Sequence, residues 1–102
     1  MRIETVAIIG KGAVGLLHGS KIAQAIGRER LEYVMDEERY LRHRDEQILI
    51  NGEKQNFITI PASQARPVDL IILAVKATGL EEAIDCMGGL VGPETHIISL
   101  LN

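Results

Sequence analysis

The sequence V-A-I-I-G-K-G-A-V-G, from Val6 to Gly15, joins an apolar run to a glycine-rich turn. The apolar run extends from Thr5 to Ile9, and a run of this length is compatible with a buried β-strand. From Ala13 to Ile26 the apolar residues recur at roughly helical spacing, which predicts an amphipathic helix. Gly27 follows as a stop signal for that helix. The glycines therefore connect a predicted strand to a predicted helix.

The turn matches the pattern G-x-G-x-x-G in the context that dinucleotide binding requires, after a strand and at the start of a helix. Gly10 permits the tight turn, Gly12 leaves room for a pyrophosphate beside the backbone, and Gly15 lets the helix pack close to the strand. The free amides and the dipole of the helix then face the negative charge. We predict a cofactor-binding loop formed by Gly10, Lys11, Gly12, Ala13, Val14 and Gly15. The alternative is a glycine-rich turn without a ligand.

An acidic residue follows the second predicted strand, Leu31 to Met35. Asp36 lies 21 residues after the last glycine of the motif, where a carboxylate can accept hydrogen bonds from the adenosine ribose of NAD and repel the 2′-phosphate of NADP. The alternative is a surface aspartate that caps the next helix. Arg39 and Arg42 could each turn toward a 2′-phosphate. The residues alone therefore leave the choice between NAD and NADP open.

The remaining segments predict a hairpin, two strands and two helices. A polar helix extends to about Arg44, and the turn-prone Asn51-Gly52-Glu53 separates two β-prone runs, Gln47 to Ile50 and Asn56 to Ile60, which predicts a hairpin. Val68 to Val75 shows no alternation of polar and apolar residues, so we expect a strand buried on both faces. The last two elements are a helix over Leu80 to Met87, ended by Gly88-Gly89, and a strand over His96 to Leu101. This order predicts an α/β fold: a Rossmann-like, doubly wound, mostly parallel sheet with a β-hairpin insertion.

Composition favours one small domain, residues 1–102. The chain is 46% hydrophobic with only three aromatic residues, which suits the aliphatic interior of a parallel sheet. The net charge is −3 without a long basic run, so nothing indicates nucleic-acid binding. With Cys86 as the only cysteine and three dispersed histidines, we predict no metal site. No stretch is long enough to span a bilayer and no leader is evident, which predicts a cytoplasmic location.

Three segments resemble the ketopantoate reductase family. They are the glycine segment from Val6 to Gly15, D-L-I-I-L-A-V-K-A from Asp69 to Ala77, and I-I-S-L-L-N from Ile97 to Asn102. The resemblance implies that Lys76, just beyond its strand, lies near the nicotinamide and the substrate, next to Val75. It also implies that Asn102 helps to hold cofactor and substrate.

The same resemblance implies an NADPH-dependent reduction of ketopantoate to pantoate, a step of pantothenate biosynthesis. In the family a second, helical domain supplies the general-acid lysine and most contacts to the small 2-oxoacid. We expect this chain to lack that domain, to be truncated and to be inactive alone, and a homodimer is possible. Family members that use NADPH often carry an arginine after the second strand, where this sequence has Asp36. The family thus favours NADP, whereas Asp36 argues for NAD.

Two other functions stay open on the sequence. Nucleotide-sensing regulatory domains of potassium channels and transporters share the glycine loop and an acidic residue after the second strand, as in V-M-D-E-E-R from Val34 to Arg39. Such domains bind NAD or other nucleotides without catalysis. The other possibility is a Rossmann-like scaffold that has lost its ligand.

Overall fold

The computed structural model of the chain describes residues 3–10, 13–43, 48–50, 52–55 and 57–100. In chain order the strands and helices are β1 Val6–Ile9, α1 Ala13–Ile26, β2 Leu31–Met35, α2 Glu37–His43, β3 Ile48–Ile50, β4 Glu53–Gln55, β5 Ile58–Pro61, β6 Leu70–Leu73, α3 Leu80–Met87 and β7 His96–Ser99. Short 3-10 turns lie at 28–30, 62–64 and 77–79. The predicted bounds of α1, β2 and α3 are confirmed residue for residue.

Five of the strands form one parallel sheet in the order β5-β2-β1-β6-β7. The chain starts in the middle strand: Val6 pairs with Leu31 on one side and with Leu70 on the other. The connections first run outward through β2 to β5 and then outward in the opposite direction through β6 to β7. The predicted doubly wound, Rossmann-like sheet is confirmed, and its direction reverses between β1 and β6.

The two faces of the sheet pack against different helices. Alternate residues of β1, such as Val6 and Ile8, join Tyr33 and the α1 residue Ala23 in one core cluster. The other residues of the strands, such as Ile9, join Ala83 of α3 in a second cluster. All four residues of β1 and of β6 are buried, because side chains alternate between faces that are both covered. This confirms the two-sided burial that the unbroken apolar run before Lys76 predicts.

The predicted hairpin is correct in its first strand and wrong in its second. β3 pairs antiparallel with β4, with Ile50 opposite Glu53, and Gly52 has the positive φ of 82° that a tight turn requires. The segment predicted as the partner strand instead yields β5, which pairs in parallel with β2 in the main sheet. Beside β2, Pro61 is buried and Ile60 packs against the core, whereas an isolated two-stranded ribbon is only marginally stable.

Three predicted strands are shorter than expected: β1 begins at Val6, β6 covers Leu70–Leu73, and β7 ends at Ser99. β6 ends at Leu73, although the Ala74 amide still donates to the Ile9 carbonyl over 2.8 Å. β7 lies at the edge of the sheet, and its Ile97 and Ile98 are each about half exposed.

Among the described residues, no helix has the length and apolar character needed to cross a bilayer.

Hydrogen bonds of Asp69 connect the segment before β1 to the start of β6. Its carboxylate accepts the backbone amides of Glu4 and Thr5 at 2.8 and 3.2 Å, and its own amide donates to the Thr5 hydroxyl at 3.0 Å. These hydrogen bonds hold the pKa of Asp69 below its ordinary value of 3.8, and the bond from the Glu4 amide has the largest effect. The carboxylate therefore contributes stability above pH 3.8 that is lost as the pH falls through the lower folded pKa.

We therefore expect Asp69→Asn to be less stable than the wild type at neutral pH, and the difference to disappear in acid. Urea unfolding from about pH 7 down to about pH 2 measures this, because only the wild type loses a charged acceptor. A stability difference that stays constant over this range would mean that the hydrogen bonds do not depend on the charge.

Candidate active site: a cleft at the carboxyl ends of three strands

A cleft of about 330 Å³ opens where β1, β2 and β6 end. This volume falls within the range of small-molecule sites, and the cleft includes the point at which the sheet changes direction, where open α/β sheets bind their ligands. Five of the predicted site residues line it together: Gly10, Asp36, Arg39, Val75 and Lys76. The structure thus gathers into one cleft residues that are up to 66 positions apart in the sequence.

At two glycines of the motif, neighbouring backbone atoms lie closer than a side chain at that position would allow. Gly10 has φ of 114°, and a Cβ there would overlap the carbonyl oxygen of Ala74. A Cβ at Gly15 would overlap the carbonyl oxygen of Gly10. The start of α1 therefore packs directly on the end of β1, as the motif predicts. This close approach is the cradle that suits a dinucleotide.

The other predicted loop residues are less fully defined. Ala13 and Val14 form the first turn of α1 in the backbone, which places the helix amides at the end of β1. Lys11 and Gly12 lie outside the described residues, and so does Asn102.

Tyr33 positions α1 against the sheet, and the sequence analysis missed it. Its hydroxyl donates to the Gly15 carbonyl over 2.9 Å, its ring contacts Phe57 edge to face at 5.3 Å, and a Cβ at Gly19 would overlap the hydroxyl. Burial raises the pKa of the Tyr33 phenol, so it stays protonated and remains a donor. A glycine one helical turn after Gly15 is the signal that could have indicated this contact.

Tyr33→Phe should lower the free energy of unfolding by about 1–2 kcal/mol, because it leaves a buried carbonyl without its side-chain donor. Chemical unfolding measures the change. Tyr40→Phe is the matched control at a partly exposed tyrosine, where we expect a change within about 0.5 kcal/mol. Equal effects of the two substitutions would show that the hydrogen bond to Gly15 contributes no stability.

Asp36 both caps the start of α2 and lines the cleft. Its Oδ1 accepts the amide of Arg39 over 2.8 Å, which caps the start of α2. The residue also lines the cleft, with 39% of its side chain exposed. Since the cap uses one oxygen, the carboxylate remains able to accept further hydrogen bonds from a ligand.

The two arginines proposed for a 2′-phosphate differ in position. Arg39 lies at the cleft between two carboxylates, with its Nε 3.6 Å from Asp36 Oδ2 and its Nη2 3.2 Å from Glu82 Oε2. Arg42 does not line the cleft and instead faces Glu38 along α2, at 4.0 Å. Of the two, the structure brings only Arg39 to the site.

Val75 and Lys76 follow β6 at the opposite side of the cleft. Lys76 is exposed, and its carbonyl accepts the Gly79 amide over 2.9 Å in the turn that leads into α3. Its ammonium group is therefore available to a ligand bound at the end of β6.

Several lining residues escaped the sequence analysis, most of them from the turn before α3 and from α3 itself: Thr78, Gly79, Glu82, Ala83 and Cys86. The spacing of α3 marks its apolar face but gives no indication that its first turn reaches Arg39. Only the parallel pairing of β1 between β2 and β6 makes α2 and α3 neighbours at the cleft.

Solved structures with the same fold include dehydrogenases and reductases. D-mandelate dehydrogenase, in a ternary structure with NADH and anilino(oxo)acetate, is 26% identical with a TM-score of 0.74 over 96% of this chain and 33% of its own. A dimeric ketopantoate reductase from Staphylococcus aureus is 26% identical with a TM-score of 0.73 over 96% of this chain and 36% of its own. Glycerol-3-phosphate dehydrogenase from Saccharomyces cerevisiae, at 16% identity and a TM-score of 0.63 over 99% of this chain and 34% of its own, shares the fold alone.

The chain thus spans about a third of the length of these proteins. A comparison with curated protein sequences finds no match. The family model described as ketopantoate reductase PanE/ApbA matches residues 6–102, which is nearly the whole chain. With the glycine cradle, the acidic residue after β2 and the parallel sheet in place, the chain belongs to the ketopantoate reductase family.

Proposed function

We propose that this chain is the cofactor-binding domain of an NAD(P)H-dependent 2-oxoacid reductase, and that its reaction is the reduction of 2-dehydropantoate to pantoate. The observation that carries the proposal is the cleft at the strand ends, which Gly10 and Asp36 line and beside which Gly15 packs against the Gly10 carbonyl. The similar structures of D-mandelate dehydrogenase with NADH and of a ketopantoate reductase support the same class of reaction. As parts of this proposal, the reaction belongs to pantothenate biosynthesis in the cytoplasm.

The residues of the chain divide between the two ends of the cofactor. The glycine loop and the first amides of α1 hold the diphosphate, since the helix N-terminus attracts negative charge. The Asp36 carboxylate accepts hydrogen bonds from the adenosine ribose hydroxyls. Lys76, exposed at the end of β6, and Asn102 position the nicotinamide and the keto group. When bound, the reduced nicotinamide supplies the hydride for the keto carbon.

Lys76 also has a chemical reason to face the substrate. A 2-oxoacid carries a carboxylate, and hydride addition makes an alkoxide of its keto oxygen. An ammonium group near either oxygen stabilises the negative charge. Completion of the reaction needs a general acid to protonate the alkoxide, and we assign that acid and most substrate contacts to a helical domain outside residues 1–102.

Cofactor binding and turnover test separate parts of the proposal. Fluorescence titration with NADH and NADPH should show that the chain binds at least one of them, and no binding of either at about millimolar concentration would refute the proposed function. Mixed with ketopantoate and reduced cofactor, the 102-residue chain should show negligible oxidation of the nicotinamide. Turnover within the ordinary enzyme range, about 1–1,000 per second, would refute the assignment of the general acid to another domain.

A homodimer of the longer protein belongs to the same proposal, since the Staphylococcus aureus ketopantoate reductase is described as dimeric. The alternative of a nucleotide-sensing domain in potassium transport finds no support in the comparisons, and we do not propose it.

A further inference from the structure

We infer that Glu82 of α3 is a specificity-determining residue that engages Arg39 and so makes the site favour NADH over NADPH. The inference rests on the proposed function, because it assigns the adenosine ribose to the Asp36 end of the cleft. The family resemblance favours NADPH, whereas the Glu82–Arg39 pair favours NADH. The two therefore predict opposite values for the ratio of the NADH affinity to the NADPH affinity.

The geometry at this end of the cleft places one cation between two anions. The Arg39 guanidinium extends from α2 to α3, with Nη2 3.2 Å from Glu82 Oε2 and Nε 3.6 Å from Asp36 Oδ2. All three residues line the cleft. A 2′-phosphate that enters here must compete with Glu82 for the guanidinium and must also approach the Asp36 carboxylate. A ribose with a free 2′-hydroxyl needs only the carboxylate, as an acceptor.

The electrostatic field at the cleft agrees with this arrangement. Cys86 lies on the same side of the cleft as Glu82 and is buried. The pKa of its thiol is raised by burial first and then by Asp36, Asp85 and Glu82, with Arg39 acting in the opposite direction. At this thiol the three carboxylates therefore outweigh the guanidinium. Lys76, the other lining cation, follows β6, which is two strands away from β2, or about 10 Å.

The exposure of these groups sets the size of the effect. The side chains of Arg39 and Glu82 are 55% and 63% exposed, so water screens their attraction. Exposed ion pairs of this kind change an equilibrium about two- to five-fold. Removal of Glu82 should therefore modify the cofactor preference without abolishing binding of either cofactor.

The experiment compares Glu82→Gln with Glu81→Gln, each titrated with NADH and with NADPH. Glu81 is in the same first turn of α3 and is exposed, but it does not line the cleft. The wild type should bind NADH more tightly than NADPH. Glu82→Gln should raise the affinity for NADPH relative to NADH about two- to five-fold, and Glu81→Gln should leave the ratio within error of the wild type.

A double mutant shows whether Glu82 acts through Arg39. In an Arg39→Ala background, Glu82→Gln should change the ratio less than in the wild type, because only the direct repulsion between Glu82 and the 2′-phosphate remains. Asp36→Asn should raise the relative affinity for NADPH further, since it removes the repelling charge while asparagine still caps α2. If Asp36→Asn leaves the ratio unchanged, the ribose does not face this residue and the inference is overturned.

The outcomes separate the inference from the function on which it rests. If the wild type binds neither cofactor, the proposed function itself is wrong. If both cofactors bind but the wild type prefers NADPH, or if the two glutamate substitutions change the ratio equally, the proposed function stands and the role of Glu82 is overturned.

Discussion

Replacement of Gly10 by alanine should lower the free energy of unfolding by about 2–6 kcal/mol. Gly10 has φ of 114°, a backbone conformation that costs a residue with a side chain about 1–3 kcal/mol. The new Cβ would also overlap the Ala74 carbonyl oxygen and lie 2.6 Å from the carbonyl carbon. Both atoms belong to the backbone at the end of β6, so they cannot rotate away, and overpacking of this kind costs a further ~1–3 kcal/mol.

Gly88→Ala is the matched control for this prediction. Gly88 follows α3 with φ of −49° and ψ of −45°, and a Cβ there would meet nothing within 4 Å. Alanine should therefore be neutral or stabilise the fold by up to about 1 kcal/mol, because it restricts the unfolded chain. Urea unfolding of both variants measures the contrast. Equal stability of the two variants would mean that the end of β1 does not approach Ala74 as closely as the structure indicates.

The parts of the fold that the sequence predicts are those whose signals are local. The helix from Ala13 to Ile26 has a glycine motif before it and Gly27, with a positive φ of 97°, directly after it. The buried strand Leu70–Leu73 has no polar interruption. The partner of a strand is not a local property. The segment that forms Ile58–Pro61 is β-prone whether its partner is the hairpin strand or β2. Burial in the main sheet decides that it pairs with β2.

The candidate site divides in the same way. The glycines and Asp36 were predictable because a known spacing connects them to strand ends. Glu82 and Tyr33 were not, because their roles depend on which elements become neighbours in space. Glu82 reaches Arg39 only after β1 has paired between β2 and β6, and Tyr33 reaches Gly15 only when α1 lies on its face of the sheet.

Gly12→Val should abolish the binding of NADH and NADPH, with a loss of at least about 100-fold, or about 2.8 kcal/mol. The prediction rests on the motif: the second glycine is the position where a pyrophosphate approaches the backbone, so a side chain there occupies the space of the ligand. The neighbouring glycines already show the close approach that the motif demands, since Gly15 accommodates the Gly10 carbonyl only by lacking a Cβ. Fluorescence titration of the variant measures the loss.

A steric series distinguishes a blocked site from a damaged fold. Gly12→Ala adds one carbon where Gly12→Val adds three, so cofactor affinity should fall in that order while the unfolding midpoint changes little. Gly88→Val, at a glycine where an added Cβ would meet nothing within 4 Å and which does not line the cleft, should bind both cofactors like the wild type. If Gly12→Val is folded and binds NADH with unchanged affinity, the diphosphate does not lie on this loop. The amides at the start of α1, on which the assignment of the whole cleft depends, would then face no ligand.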